Sequence, residues 1–159
     1  MTGKRIGILI GAALGLVWSV ALIWGTQRMD LPFIPAPVAV PGALFAPGLV
    51  LLVMIAVLAL RRVFDTTPAT GTEPPRTALD QAVVRSTVEQ LALALVLWPF
   101  IANSLGGAVV LAMGFSFAAA RLLHWLGYHV FPPLRAFGFT ATMGPTALAA
   151  LWSLNAWMG

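Results

Sequence analysis

The stretch VVRSTVEQLALALVLW, residues 83–98, decides the fold class, because its apolar run is typical of a membrane helix. It also contains a carboxylate, Glu89, which is unexpected in such a helix. The 159-residue chain around it is 60% hydrophobic and only 9% charged, with a mean hydropathy of +0.93. Soluble domains contain about 25% charged and about 45–50% apolar residues. The composition therefore predicts an all-α integral membrane protein, and the lack of cysteine excludes disulfides and thiolate metal sites.

Five apolar segments are long enough to cross a bilayer, which requires about 20 mostly apolar residues. They are residues 6–25, 43–62, 78–102, 107–128 and 134–157. Residues 63–77, between the second and third segments, are rich in Thr, Pro and Gly and are predicted to form a cytoplasmic loop. The whole chain, residues 1–159, is thus interpreted as one helical bundle in the membrane.

The first apolar segment has two interpretations, a signal peptide and a membrane helix. Lys4 and Arg5 precede it, as in a signal peptide, but its apolar run exceeds the usual length of about 7–15 residues and no clear cleavage site follows. We therefore expect an uncleaved helix. Its glycines at 7, 11 and 15 form a doubled GxxxG pattern that lets another helix approach closely, although glycine is also simply common in membrane helices.

The positions of Lys and Arg predict the orientation of the chain, because cytoplasmic loops are enriched in these residues. With five spans, only Arg28 falls on one side of the membrane. The other eight fall on the opposite side and are Lys4, Arg5, Arg61, Arg62, Arg76, Arg85, Arg121 and Arg135. We expect a cytoplasmic N-terminus and an external C-terminus, so that the net charge of +4 reflects topology rather than binding to nucleic acid.

The depth of the charged residues along their helices predicts a partner for Glu89. Counting 1.5 Å per residue from the cytoplasmic ends of the third and fourth spans places Glu89 about 9 Å and Arg121 about 8 Å deep. An ionised side chain in lipid costs about 2.5–3.5 kcal/mol, so each is expected to face the protein interior. We therefore predict a Glu89–Arg121 interaction, with Arg85 close to Glu89 and one turn nearer water.

The polar residues at this level predict a pocket at the cytoplasmic end. It would be lined by Arg85, Glu89, Arg121, His124, Tyr128 and Arg135. Its excess of arginine suits an anionic ligand, because guanidinium groups bind carboxylates in bidentate geometry. An Arg–Glu pair that only holds two helices together is an equal alternative. His124 and His129 do not share a helix face, so no metal site is predicted.

Two stretches of the chain are VRSTVEQLALALVLW at 84–98 and ARLLHWLGYHVFPPLRAFGF at 120–139. They resemble the MAPEG superfamily of membrane-associated proteins in eicosanoid and glutathione metabolism, and most of all its bacterial branch. The family pattern in the first stretch is Arg or another polar residue, then Asn, two residues and Glu, and the chain has Arg85, Ser86 and Glu89. The pattern in the next helix is Arg, two residues, His, three residues and Tyr or a similar residue. It is matched by Arg121, His124 and Tyr128, and a basic residue, here Arg135, opens the last helix.

The resemblance covers roughly residues 43–157 and implies a four-helix bundle that assembles as a homotrimer, with the first span as an additional transmembrane helix. It implies that glutathione binds between subunits at the cytoplasmic end and attacks a lipophilic electrophile from the bilayer, here a bacterial inner membrane. Arg121 and Arg135 would be catalytic. The ligand-binding residues would be Arg85, Ser86, Glu89, Arg121, His124, Tyr128 and Arg135.

The chain departs from the family pattern at three positions. Ser86 stands in place of Asn, and Ala136 and Phe139 lack the hydroxyl groups of the Ser and Tyr found in some eicosanoid-type members. Stabilisation of a thiolate would then depend on Arg135 or Arg121. The alternative is a non-catalytic membrane protein of the same fold that binds an anionic lipid or a partner helix. A transporter is not favoured, because the sequence has no inverted repeat and no charge at the midplane.

Overall fold

The computed structural model describes residues 2–64 and 75–159, and these form five helices. They are α1 (Thr2–Arg28), α2 (Ala36–Phe64), α3 (Pro75–Leu105), α4 (Gly107–His129) and α5 (Pro132–Met158). No strand occurs in these two ranges, so the predicted all-α class is confirmed. The predicted loop 63–77 is shorter at both ends, because α2 continues to Phe64 and α3 begins at Pro75, while residues 65–74 lie outside the described residues.

Four of the helices are long and apolar enough to cross a membrane, and the chain is accordingly a multi-pass membrane protein. These segments are Arg5–Arg28, Ala36–Phe64, Arg76–Leu105 and Gly107–His129. The remaining helix, α5, has 27 residues and is also long enough to span, but Thr, Gly and Pro lower its apolar character. Small residues of this kind allow close helix packing, and the crossing by α5 remains a prediction.

Successive helices alternate in direction, so that α1 and α5 run parallel and pack side by side. Gly7 of α1 faces Pro133 of α5, and Ser19, three turns further along, faces Gly144. Near the middle of the bundle, the Trp98 indole donates a hydrogen bond of 3.1 Å to the Thr146 hydroxyl. The Trp98 ring also meets the Phe117 ring edge-on at 6.1 Å, which joins α3, α4 and α5 in one core.

Close approach of α2 and α4 depends on one proline and one glycine. Pro47 lies inside α2 and has no N–H, so the carbonyl of Ala43 loses its usual helical donor. Gly114 of α4 packs directly on this carbonyl, where a Cβ atom would overlap it. Neither Pro41 nor Pro47 interrupts α2. The helix begins at Ala36, well before the span that was predicted to start at residue 43.

The helix ends that carry most of the arginines meet at one end of the bundle, which we call the basic end. It is formed by the N-termini of α1, α3 and α5 and the C-termini of α2 and α4. Contacts between Arg62 and Gln81, and between Gly127 and Arg135, bring these ends together. The basic end therefore contains the residues from which the sequence predicted a ligand pocket.

Candidate functional site

Arg121 lies at the contact between α3 and α4 and is fully buried, with 0% of its surface exposed. Its Nη1 donates to the Ser86 hydroxyl at 3.3 Å and its Nη2 donates to the Ser86 carbonyl at 3.1 Å. The guanidinium also lies 5.5 Å from the centre of the Phe117 ring, within the range of a cation–π contact. Arg121 thus faces the protein interior, as expected, and its two terminal nitrogens bind to a neutral residue.

The predicted Glu89–Arg121 interaction is wrong for the single chain, because Glu89 is directed away from α4. Its carboxylate accepts a 3.1 Å hydrogen bond from Arg85, and the two side chains are 63% and 83% exposed. The buried face of α3 is made by Val83, Thr87, Gln90, Ala94 and Trp98. The count along the helices gave Glu89 nearly the same depth as Arg121, but the Glu89 side chain lies on an exposed face of α3. Depth alone therefore does not determine whether two residues meet.

Three of the predicted residues come together in a cavity of about 320 Å³ at the basic end. The cavity is lined by Ala12, His124, Tyr128, Arg135, Ala136, Phe139 and Thr140. The Arg135 guanidinium lies 4.9 Å from the centre of the Tyr128 ring, and the His124 ring meets Tyr128 edge-on at 5.1 Å. The site therefore combines one exposed cation with aromatic and small apolar walls.

The tautomer of His124 follows from its hydrogen bond to the backbone. Nδ1 lies 2.8 Å from the carbonyl oxygen of Arg135, and a carbonyl only accepts, so Nδ1 carries the proton and donates. In the neutral ring, Nε2 is then an acceptor. Nε2 is buried and has no partner among the described residues, and the same is true of Nε of Arg121. Buried polar atoms are normally paired, so these two atoms mark places where water or a ligand would be stabilised.

The predicted site residues therefore fall into three groups rather than one pocket. Arg121 and Ser86 form a buried pair between α3 and α4. The cavity between α1, α4 and α5 holds His124, Tyr128 and Arg135. Arg85 and Glu89 form an exposed pair on the outer surface of α3, and a single chain does not bring them to the cavity.

Sequence reasoning missed a second polar cluster at the basic end, centred on Asp80 of α3. The carboxylate of Asp80 is 2% exposed and accepts hydrogen bonds of 2.8 Å from Trp125 Nε1 and from His129 Nε2. It also forms an ion pair with Arg61 of α2. The chain has only five Asp and Glu residues, and the depth count that was applied to Glu89 would have placed Asp80 level with these partners.

The sequence pattern of the MAPEG family matches residues 38–155, which is about three quarters of the chain. The matched segment runs from the start of α2 to near the end of α5 and leaves α1 outside. It includes every residue that lines the cavity except Ala12. No curated protein and no solved structure matches the chain.

Proposed function

The chain belongs to the MAPEG family of membrane proteins, and we propose that it is a glutathione-dependent transferase or peroxidase acting on lipophilic electrophiles. The observation that carries this proposal is the cavity of about 320 Å³ at the basic end, where Arg135, Tyr128 and His124 converge. The exposed Arg135 guanidinium favours an anionic group on the ligand, and the unpaired Nε2 of His124, as an acceptor, favours a hydrogen-bond donor beside it.

The charges of glutathione suit the residues at the basic end. Glutathione has two carboxylates and one ammonium group, and a guanidinium binds a carboxylate with two parallel hydrogen bonds. Arg135 has no carboxylate partner among the described residues, so its charge is available to a ligand. Glu89 is the acid that would receive the ammonium group. The lack of cysteine in the chain also fits, since the reacting thiol would belong to the ligand.

The proposed chemistry requires a thiolate next to a cation. In the transferase reaction, the thiol proton passes to solvent, the sulfur forms a bond to an electrophilic carbon, and the leaving group departs with its bonding electrons. In the peroxidase reaction, two glutathione molecules are oxidised to the disulfide, while a lipid hydroperoxide is reduced to the alcohol and water. Arg135 and Arg121 are the proposed catalytic residues, because a positive charge stabilises the sulfur anion.

The exposed Arg85–Glu89 pair supports assembly with further copies of the chain. Both residues lie in a segment that is apolar enough to span the membrane, where exposure of a charge to lipid costs about 2.5–3.5 kcal/mol. A second subunit that packs on this face of α3 would remove that exposure and would bring the pair close to a neighbouring cavity. We propose a homotrimer in a bacterial inner membrane, with the basic end in the cytoplasm.

Equilibrium dialysis with radiolabelled glutathione tests this function on the purified full-length protein. We expect saturable binding at or below millimolar glutathione, and loss of about tenfold or more in affinity on Arg135→Ala, which removes one charged contact. Arg28→Ala is the matched control, because Arg28 is also exposed but lies at the end of α1 that is remote from the basic end. Lack of binding by the unmutated protein at millimolar glutathione would contradict the proposal.

A second candidate function is favoured by the side chains at the inner wall of the cavity. Ala136 and Phe139 line it without a hydroxyl group, and the Phe139 ring lies 6.0 Å from the His124 ring. Such a wall suits a non-catalytic site for an anionic lipid head group, with the phosphate at Arg135. Native mass spectrometry distinguishes the two functions, because a retained anionic lipid without bound thiol supports this candidate. Conjugation of glutathione to a chlorinated aromatic compound would count against it.

A further inference from the structure

Helix α1 lies outside the segment that matches the family, yet it supplies one wall of the candidate site. Ala12 lines the cavity opposite residues of α4 and α5, and it is half-buried there. Without α1, the space between Tyr128 and Thr140 would lose the wall that Ala12 provides. The cavity is therefore built partly from the family segment, residues 38–155, and partly from a helix that this chain adds.

The contact between α1 and α5 leaves Ala12 little freedom to move. A Cβ atom on Gly11 would overlap the carbonyl of Pro133, and one on Gly15 would lie 2.7 Å from Cβ of Thr140 and 2.9 Å from the carbonyl oxygen of Phe137. Because these distances are far below normal packing distances, the two helix backbones touch on both sides of Ala12. This glycine contact sets the separation of α1 from the cavity.

A hydrogen bond on the other flank of α1 also sets its rotation about its own axis. Trp18 Nε1 donates to the Ser116 hydroxyl of α4 at 2.8 Å. One turn above Gly15, the Ser19 hydroxyl donates to the carbonyl of Gly15 at 2.7 Å and packs against Gly144. Since both the distance and the rotation of α1 are determined, a larger side chain at position 12 has to enter the cavity.

We propose that α1 is part of the ligand site and that Ala12 determines the size of the group that the cavity accepts. The group next to Ala12 lies beside Arg135 and His124, so it is the reacting end of the ligand: the thiol together with a small electrophile. This inference rests on the proposed function for the identity of the ligand. The role of Ala12 as a wall can be measured without that ligand.

The first test introduces a thiol into the cavity by Ala136→Cys, and this thiol is unique because the chain has no cysteine. The rate at which methyl and benzyl methanethiosulfonates label this thiol is measured by mass spectrometry on the purified full-length protein. We expect Ala12→Phe to slow labelling by both reagents at least about tenfold, and Ala12→Gly to accelerate the benzyl reagent, because a filled cavity excludes the reagent. Equal rates for Ala12→Phe, Ala12→Gly and the parent would overturn the inference.

Ala13→Phe is the matched control, because Ala13 is the next residue of α1 and is exposed. It adds the same side chain outside the cavity and is expected to leave both labelling rates unchanged. Slowing by Ala13→Phe equal to that by Ala12→Phe would overturn the inference, since the effect would then not depend on the cavity wall. Ala12→Gly keeps the test decisive if Ala12→Phe perturbs folding, because it predicts a change in the opposite direction.

The second test measures glutathione binding by the same variants without the introduced thiol. We expect Ala12→Phe to weaken binding about tenfold or more and Ala13→Phe to leave it unchanged. If the unmutated protein binds no glutathione while labelling still depends on position 12, the proposed function fails and the role of Ala12 stands. If glutathione binds equally to all variants, the proposed function stands and the role of Ala12 is overturned.

Discussion

Arg121 and Ser86 are joined by two hydrogen bonds across α3 and α4, one to the Ser86 hydroxyl and one to its backbone carbonyl. The short side chain of serine allows the guanidinium to reach the backbone of the neighbouring helix. Arg121 is fully buried, and no carboxylate is paired with it among the described residues. The pair therefore holds α3 against α4, and in the described part of the chain no carboxylate neutralises the charge of Arg121.

We expect Ser86→Ala to lower the free energy of unfolding by about 1 kcal/mol, because a hydrogen bond between membrane helices contributes about that much. The bond from Arg121 to the backbone carbonyl remains in this variant. Unfolding in mixed detergent and dodecyl sulfate micelles measures the change. Ser104→Ala is the control on the same helix, since the Ser104 hydroxyl is exposed and, within residues 2–64 and 75–159, bonds only to the carbonyl of Phe100 in its own helix. Equal losses for the two variants would contradict a special role for Ser86.

Arg121 should contribute more to ligand binding than to stability. Arg121→Met fills most of the same volume and removes the desolvation cost of a buried charge, which offsets the loss of the two hydrogen bonds to Ser86. We expect this variant to unfold within about 1 kcal/mol of the parent and yet to lose glutathione binding. Arg121→Ala leaves a cavity and is expected to cost about 2–5 kcal/mol. If the Arg121→Met variant retained full affinity for glutathione, the charge of Arg121 would serve the fold alone.

The height of residues along the bundle was predictable from the sequence, because rise per residue is constant in a helix. The basic end is accordingly formed by the helix ends that the arginines indicated. The rotation of each helix was not predictable in the same way. Leu95 and Val96 face outward and Ala94 faces inward, although all three are apolar. In a membrane, both the lipid and the core are apolar, so hydrophobicity does not identify the buried face.

Small and polar residues identify the buried face better than hydrophobic ones do. On α3 the buried positions include Thr87 and Gln90, and on α5 they include Thr142 and Gly144. Polar side chains avoid lipid, and small ones let backbones approach, so both kinds collect where helices meet. By the same reasoning Glu89 would face inward, and its exposure is the exception that a neighbouring subunit would explain.

The Asp80 cluster is expected to hold three helix ends together at the basic end. Asp80→Asn removes the charge that pairs with Arg61 and weakens the acceptor for Trp125 and His129, so we expect a loss of about 2 kcal/mol of stability. Intrinsic tryptophan emission should shift to longer wavelength as the Trp125 indole is released. Asp30→Asn is the control, because Asp30 is exposed and lies outside the helices. Unchanged stability and emission in Asp80→Asn would show that the cluster is dispensable.

The glycine contact between α1 and α5 provides the most direct test of how α1 is attached. Gly11→Leu places a side chain against the backbone of Pro133, and overpacking of this kind costs about 1–3 kcal/mol or separates the helices. Separation would also break the hydrogen bond from Trp18 to Ser116, so we expect faster amide hydrogen exchange along α1 than in the parent.

Gly25→Leu is the matched control for this change, because Gly25 lies on the same helix and a Cβ atom there would meet no atom within 4 Å outside its own helix turn. It introduces the same side chain and the same gain in helix propensity without a clash. Hydrogen exchange by mass spectrometry should therefore show protected α1 amides in Gly25→Leu and exposed ones in Gly11→Leu. Equal protection in the two variants would mean that α1 is not held by its glycine contact. The wall at Ala12 would then be mobile, and a mobile wall could not select ligands by size.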